Sequence, residues 1–301
     1  MTPLLEEIRH IPLLWLLVLV PVVLLLQRLE PEAHTLLFLL SIAAIVPLAA
    51  LLSRATEAVA AKTGDLIGGL LNATLGNLTE LLIALAALRA GQYVLVKASI
   101  AGAILTNSLF MLGASFLLGG FKYHVQEYNR DSARLQSGML FLATIAMLVP
   151  SVLAQGDGTA NATFTHSLSV SLSVLLIVTY GLGLLFSLKT HRELFASRDH
   201  AAGEKEWPMP LALGTLAGVT VLVALVSELF VESVQQAATA LGITPAFVGI
   251  VIVALVGGAA EMVSAFSAAR KNKLDLSVGI ALEVPSRLRC SLPPSLSLRA
   301  T

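Results

Sequence analysis

The chain has 301 residues with zero formal net charge, is 56% hydrophobic and only 13% charged, and has a mean hydropathy of +0.84. A soluble domain carries about 25% charged residues, so about half of the usual charge is missing, which excludes an ordinary soluble domain and leaves no basic footprint for nucleic acid. The one cysteine, Cys290, allows neither an internal disulfide nor a thiolate metal cluster.

A bilayer core needs about 20 mostly apolar helical residues. Runs of that kind fall at about 11–27, 34–52, 66–89, 94–119, 136–154, 166–187, 209–230 and 246–269, and a ninth begins at Leu274 and stops near Leu282. The first run has a weak basic flank, Arg9 alone, and no small-residue cleavage site before Gln27-Arg28, so it reads as a retained helix rather than a signal peptide. Breaks between runs carry turn residues, as in Gln155-Gly156-Asp157-Gly158.

Orientation follows from the basic residues. With the N-terminus in the cytoplasm and the spans alternating, the inside segments hold thirteen Lys and Arg, among them Arg54, Lys62, Lys122, Arg130, Lys189 and Lys271. The outside segments hold only Arg28, Arg89 and Lys97.

A shift of 181 residues aligns Thr63–Ala90 with Thr244–Lys271. Glu80/Glu261, Arg89/Arg270, Gly68/Gly249 and Gly76/Gly257 are identical, with Thr63/Thr244 and three alanine pairs. In the topology above the two copies cross in opposite directions, and inverted repeats of this kind place a substrate site near the midplane between them.

The first copy spaces Asn72, Gly76 and Glu80 by four, with Asn77 three before Glu80, which on a helix puts them on one face. Two amides and a carboxylate offer hard oxygen ligands to a cation. Asn72 and Thr74 are equally at home in an interhelical hydrogen-bond seam. Glu80 is not, because an ionised carboxylate at mid-membrane costs about 2.5–3.5 kcal/mol on insertion scales. Glu261 is expected mid-helix in the second copy. Two carboxylates brought together at the midplane repel unless a divalent cation or protons neutralise them, and competition between those ligands is the physical basis of cation/proton exchange. The next helix adds Ser99 and Thr106, seven apart, with Asn107 beside them. Glu57 and Glu228, at the ends of apolar runs, are candidate vestibule acids. No metalloprotease, phosphate-loop or hydrolase motif is present, so no enzyme reading stands.

At Gly76-Asn77-Leu78-Thr79-Glu80 the sequence resembles the calcium/proton exchanger (CAX) family of the calcium/cation antiporter superfamily. The likeness extends through Ala55-Thr56-Glu57, Gly68 to Thr74, Val96 to Ile100, Asn107 and Phe116 to Gly120. A second family-like stretch runs from Phe247 to Glu261 and on through Lys271 to Leu282. The resemblance implies an all-α integral membrane protein with an inverted-repeat cation antiporter fold, one leading helix plus two five-helix repeats. On this chain it maps to a leading transmembrane helix in 1–33, a first repeat in 34–187, a cytoplasmic loop in 188–208, a partial second repeat in 209–282 and a non-family tail in 283–301. It implies Glu80 and Glu261 as the metal ligands, holding calcium that is exported against entering protons. Asn77, Ser99 and Asn107 match polar positions of the first repeat, and Asn72 joins them as a cation-binding candidate. Calcium and protons are then cargo rather than cofactors, none of which is expected, and the bilayer is that of the inner membrane. The alternatives are a sodium- or potassium-coupled exchanger, and a non-transporting fragment or membrane subunit.

Two departures from the family pattern concern the second motif, where Gly258 replaces the usual Asn and Met262 the usual His. They remove one amide ligand and one titratable neighbour, leaving the pH response to Glu80 and Glu261. A third is the tail from Glu283 to Thr301, rich in Ser, Leu, Arg and Pro, which reads as the product of a truncated or frameshifted gene.

Overall fold

The computed structural model describes Arg9 and residues 11–153, 159–185 and 207–282. The expected tail, and the loop before Trp207, lie outside the described residues. Eleven helices are described: α1 (Pro12–Leu29, its first half wound as a 3₁₀-helix), α2 (His34–Lys62), α3 (Asp65–Leu75), α4 (Leu78–Arg89), α5 (Tyr93–Gly120), α6 (Arg130–Leu153), α7 (Thr159–Leu185), α8 (Met209–Leu241), α9 (Pro245–Gly257), α10 (Ala259–Arg270) and α11 (Leu274–Ala281). Among the described residues there is no strand.

Five single helices, α1, α2, α5, α8 and Gln136–Leu153 of α6, are long and apolar enough to cross a bilayer, and α9 with α10 makes a sixth span bent by 58°. Eight runs are expected from the sequence. The difference arises at 66–89, where the chain breaks into two helices each too short to cross alone, and at α7, whose apolar stretch is Ser167–Leu182. The broad exposed faces of α6 and α7, with Phe141, Leu148, Ile177 and Leu182 outward, suit a lipid solvent and not water.

α2 and α8 form the centre. Phe38 stacks on Phe230 with centroids 5.4 Å apart, and Leu48, Leu52, Val223 and Val226 are fully buried around them. Between lipid-soluble helices there is little hydrophobic drive, so this core is held by close van der Waals packing. α8 runs eleven residues past the expected end at 230. Glu228, Glu232, Gln235 and Gln236 interrupt the apolar run, but they occupy the exposed face while Val231, Val234, Ala237 and Ala238 keep the buried one. The helix stops where Gly242 adopts φ +67°. Thr244 then caps α9 by accepting a hydrogen bond from the Phe247 N–H at 3.1 Å, with Pro245 at the first helical position.

The 181-residue repeat in the sequence recurs in the backbone. α4, Leu78–Arg89, corresponds to α10, Ala259–Arg270, end for end, and the starts of α5 and α11 correspond as Tyr93 and Leu274. The turns between them share a left-handed residue, Gly91 at φ +70° and Asn272 at φ +59°. They also share a hydrogen bond of the same length, Gln92 N–H to Ala87 O and Lys273 N–H to Ala268 O, both 2.9 Å.

Candidate functional site

The chain breaks at Gly76-Asn77 between α3 and α4, and at Gly258 between α9 and α10. Two expectations are therefore corrected. Asn72, Gly76 and Glu80 do not share one continuous helical face, because α3 ends at Leu75 and α4 starts afresh at Leu78. Glu261 is not mid-helix. Glu80 and Glu261 each fall in the first turn of the helix that follows the break. Placed there, a carboxylate faces the positive end of the helix dipole and its unsatisfied N–H groups, which favours the negative charge that a membrane otherwise penalises.

The two breaks meet. A Cβ built on Gly257 would lie 2.7 Å from Cγ and 3.0 Å from Oε1 of Glu80. The carboxylate of the first copy thus rests against bare backbone at the second copy's break, four residues before Glu261. One residue further on, a Cβ on Gly258 would be 3.7 Å from Oδ1 of Asn107. Asn107 is buried and sits in a π-helical turn, Thr106–Met111, inside α5. Such turns disturb the ladder of backbone hydrogen bonds and recur at functional sites. Glu80 and Glu261 are both half-buried, with Oε2 of Glu261 shielded from solvent. Glu80, Asn107, the Gly257-Gly258 backbone and the start of α10 therefore form one neighbourhood.

Other candidates fall outside it. Ser99 is buried, but its hydroxyl donates to Val96 O of its own helix at 2.9 Å, and its backbone N is 3.0 Å from a Cβ built on Gly249. It belongs to a close crossing of α5 on α9 that also brings Gly102 onto the Ile250 backbone, where a Cβ would lie 2.6 Å from Ile250 Cα. Asn77 occupies the cap position of α4 with its side chain exposed and not bonded to the helix end. The side chain of Asn72 lies outside the described residues.

Glu57 is exposed in α2, five residues before its end at Lys62. Glu228 lies within α8 and not at its end, and its Oε1 is 3.9 Å from Nη1 of Arg89, both side chains being largely exposed. Met262, next to Glu261 in sequence, turns to another face of α10 and packs with Met111, Ala265 and Ala281. The contact of Glu80 with Gly257 has a sequence signal, the conjunction of Gly76/Gly257 and Glu80/Glu261 in the repeat. The pairing of Asn107 with Gly258 has none.

Among the described residues no three acidic, histidine or cysteine side chains converge. A cation held here would depend on few carboxylates supplemented by neutral oxygens, amide and backbone carbonyl, a donor set suited to a hard cation.

These features define a multi-span α-helical membrane protein built on a repeated broken helix, with an acid at each break. It belongs to the sodium/calcium exchanger protein family, which matches residues 33–189 and 211–282. The chain is 38% identical over 275 residues to a "Ca(2+)/H(+) antiporter" of Aphanothece halophytica, covering 86% of this chain and 74% of that protein. It is 39% identical over 265 residues to the "Ca(2+)/H(+) antiporter ChaA" of Bacillus subtilis (strain 168), covering 86% and 75%. Among solved structures, native YfkE superposes with a TM-score of 0.73 at 34% identity, over 91% of this chain and 78% of that one. The H+/Ca2+ exchanger CAX shares the fold, with a TM-score of 0.59 at 19% identity over 91% and 70%.

Proposed function

We propose that this protein is a secondary transporter that exchanges calcium for protons, with Glu80 and Glu261 as the groups that alternate between cation and proton. The observation that carries the reading is the seat of the Glu80 carboxylate on Gly257, which puts the acid of one copy at the break of the other. The names of the relatives at 38–39% identity agree with it. Two carboxylates neutralise one calcium ion or two protons with the same count of charge, so either occupant relieves the cost of leaving them ionised in low dielectric. Asn107 and backbone carbonyls at the breaks supply uncharged oxygens to the larger ion, which prefers six to eight of them.

The topology that accompanies this reading has the N-terminus in the cytoplasm, the spans in the inner membrane and the two copies inverted. Alternating access then follows from movement of one broken helix against the other around a common site. The test is calcium uptake into everted vesicles driven by an imposed proton gradient. Glu80→Gln should abolish uptake while leaving the protein in the membrane at its usual level. Retention of most of the activity would remove Glu80 from the site.

A further inference from the structure

The segment 121–129, between α5 and α6, is bound to the turn between α10 and α11. The Tyr123 hydroxyl donates to Arg270 O at 3.4 Å. The Gln126 side-chain amide donates to Ala269 O at 3.1 Å and to Asn272 Oδ1 at 3.2 Å, and the Asn129 N–H donates to Asp275 Oδ1 at 2.8 Å. Residues more than 140 positions apart are thereby clasped at one end of the molecule, where the spans of α5, α6 and α9–α10 all terminate.

The clasp gathers six cations. Lys122, Arg130 and Arg134 come from the segment and the start of α6, and Arg270, Lys271 and Lys273 come from the turn. All six are exposed, and among the described residues none makes an ion pair; the Lys122 ammonium lies only over its neighbour Tyr123, 5.3 Å from the ring centroid. Among the described side chains of the segment and the turn the acids are Glu127 and Asp275, the latter accepting from Asn129, and His124 belongs to the same segment; Asp131 follows Arg130 in the sequence. Phe121 and Tyr128 are exposed in the same segment. The equivalent turn in the first copy is built differently: its one cation, Arg89, is paired with Glu228, and Gln92 anchors it by donating to Val231 O at 2.8 Å.

We infer that the clasped segment and turn form a binding platform for the headgroups of anionic phospholipids. Lysines and arginines that make no ion pair among the described residues, set at the ends of spans, match a phosphate-bearing surface in charge, and an exposed Tyr beside them suits the headgroup level. Each cation near an anionic leaflet is worth roughly a fivefold change in binding. The clasp makes the platform one surface rather than two basic segments that happen to share an end.

The probe is phosphatidylglycerol against phosphatidylcholine, scored by native mass spectrometry of the full chain released from detergent with each lipid added at equal concentration. The wild type should retain phosphatidylglycerol preferentially. Arg270→Gln/Lys271→Gln/Lys273→Gln should lose at least about tenfold of that preference, whereas Arg89→Gln/Lys97→Gln, in the first copy's turn and in α5 just beyond it, should keep it. Gln126→Ala retains all six cations but opens the clasp, and a several-fold loss there is also expected; it carries the test if the triple variant fails to fold. Equal lipid retention by wild type and the triple variant overturns the inference, as does an unchanged preference in Gln126→Ala. Complete displacement of the lipid by millimolar inorganic phosphate would also overturn it, since that result describes a site for a small soluble anion.

Discussion

Glu80 and Gly257 are in van der Waals contact across the two copies of the repeat: the glutamate's Cγ and Oε1 occupy the space that a Cβ at 257 would need. The glycine is therefore part of the site, although it has no side chain to bind anything. Gly257→Ala should displace the Glu80 side chain without altering a single ionisable group. Misplacement on the scale of 1 Å costs large factors in precisely oriented sites, so calcium uptake should fall by roughly tenfold or more. Thermal stability should change little, because the group displaced is one flexible side chain. Wild-type transport by Gly257→Ala would show that the contact has no role in transport.

Gly258 has a different status. Its φ of −81° and ψ of 7° are open to any L-residue, and the nearest atoms to an added Cβ are Ala254 O at 3.3 Å and Asn107 Oδ1 at 3.7 Å. Gly258→Asn should therefore be accommodated and should bring a second amide beside Asn107. One added hydrogen bond or ligand contact is worth about 1 kcal/mol net, so the calcium concentration for half-maximal transport should fall by roughly fivefold. An unchanged or raised value would place the 258 side chain away from the cation path.

The acids and the repeat were legible in the sequence because Glu and Arg are costly in apolar spans, so their recurrence at one spacing carries information that recurring Ala or Leu does not. The breaks were less so, even though Gly76-Asn77 and Gly257-Gly258 are turn-forming dipeptides followed by a glutamate at a first-turn position. The apolar run continues through both and hides them. The end of α8 lies beyond its apolar run for the opposite reason: Glu228 and Glu232 end the run while Val231 and Val234 continue the buried face. The approach of Asn107 to Gly258 depends on how α5 crosses α9, which no local pattern encodes.

Met262 adjoins Glu261 in the chain, yet its side chain is 8% exposed and lies among Met111, Ala265, Phe266 and Ile280. Its role there is packing. Met262→Ala should leave a cavity and destabilise the protein by about 2–5 kcal/mol, read as a lowered melting temperature in detergent. The half-maximal calcium concentration of the folded fraction should stay close to wild type. A large change in calcium dependence with unchanged stability would instead connect position 262 to the ion site.

The strongest test of the inverted arrangement uses the two matching turns. Gly91 and Asn272 share a left-handed backbone between corresponding helices, and both are exposed, so a cysteine at either position is open to a reagent on its side of the membrane. Asn and Gly are the residues best suited to positive φ, and a cysteine there costs on the order of 1 kcal/mol, which a protein of this size tolerates. With Cys290→Ser as background, Gly91→Cys and Asn272→Cys are labelled in intact cells and in everted vesicles by a membrane-impermeant maleimide. If the copies are inverted with the N-terminus in the cytoplasm, position 91 should react from outside the cell, and position 272 only in everted vesicles. The basic residues predict that assignment, since the second turn carries Arg270, Lys271 and Lys273 and the first only Arg89. Labelling of both positions from the same side would mean that the two breaks enter the membrane in the same direction. The opposed glutamates of the proposed exchange site could not then be related by inversion, and the alternating-access scheme built on that relation would fall with it.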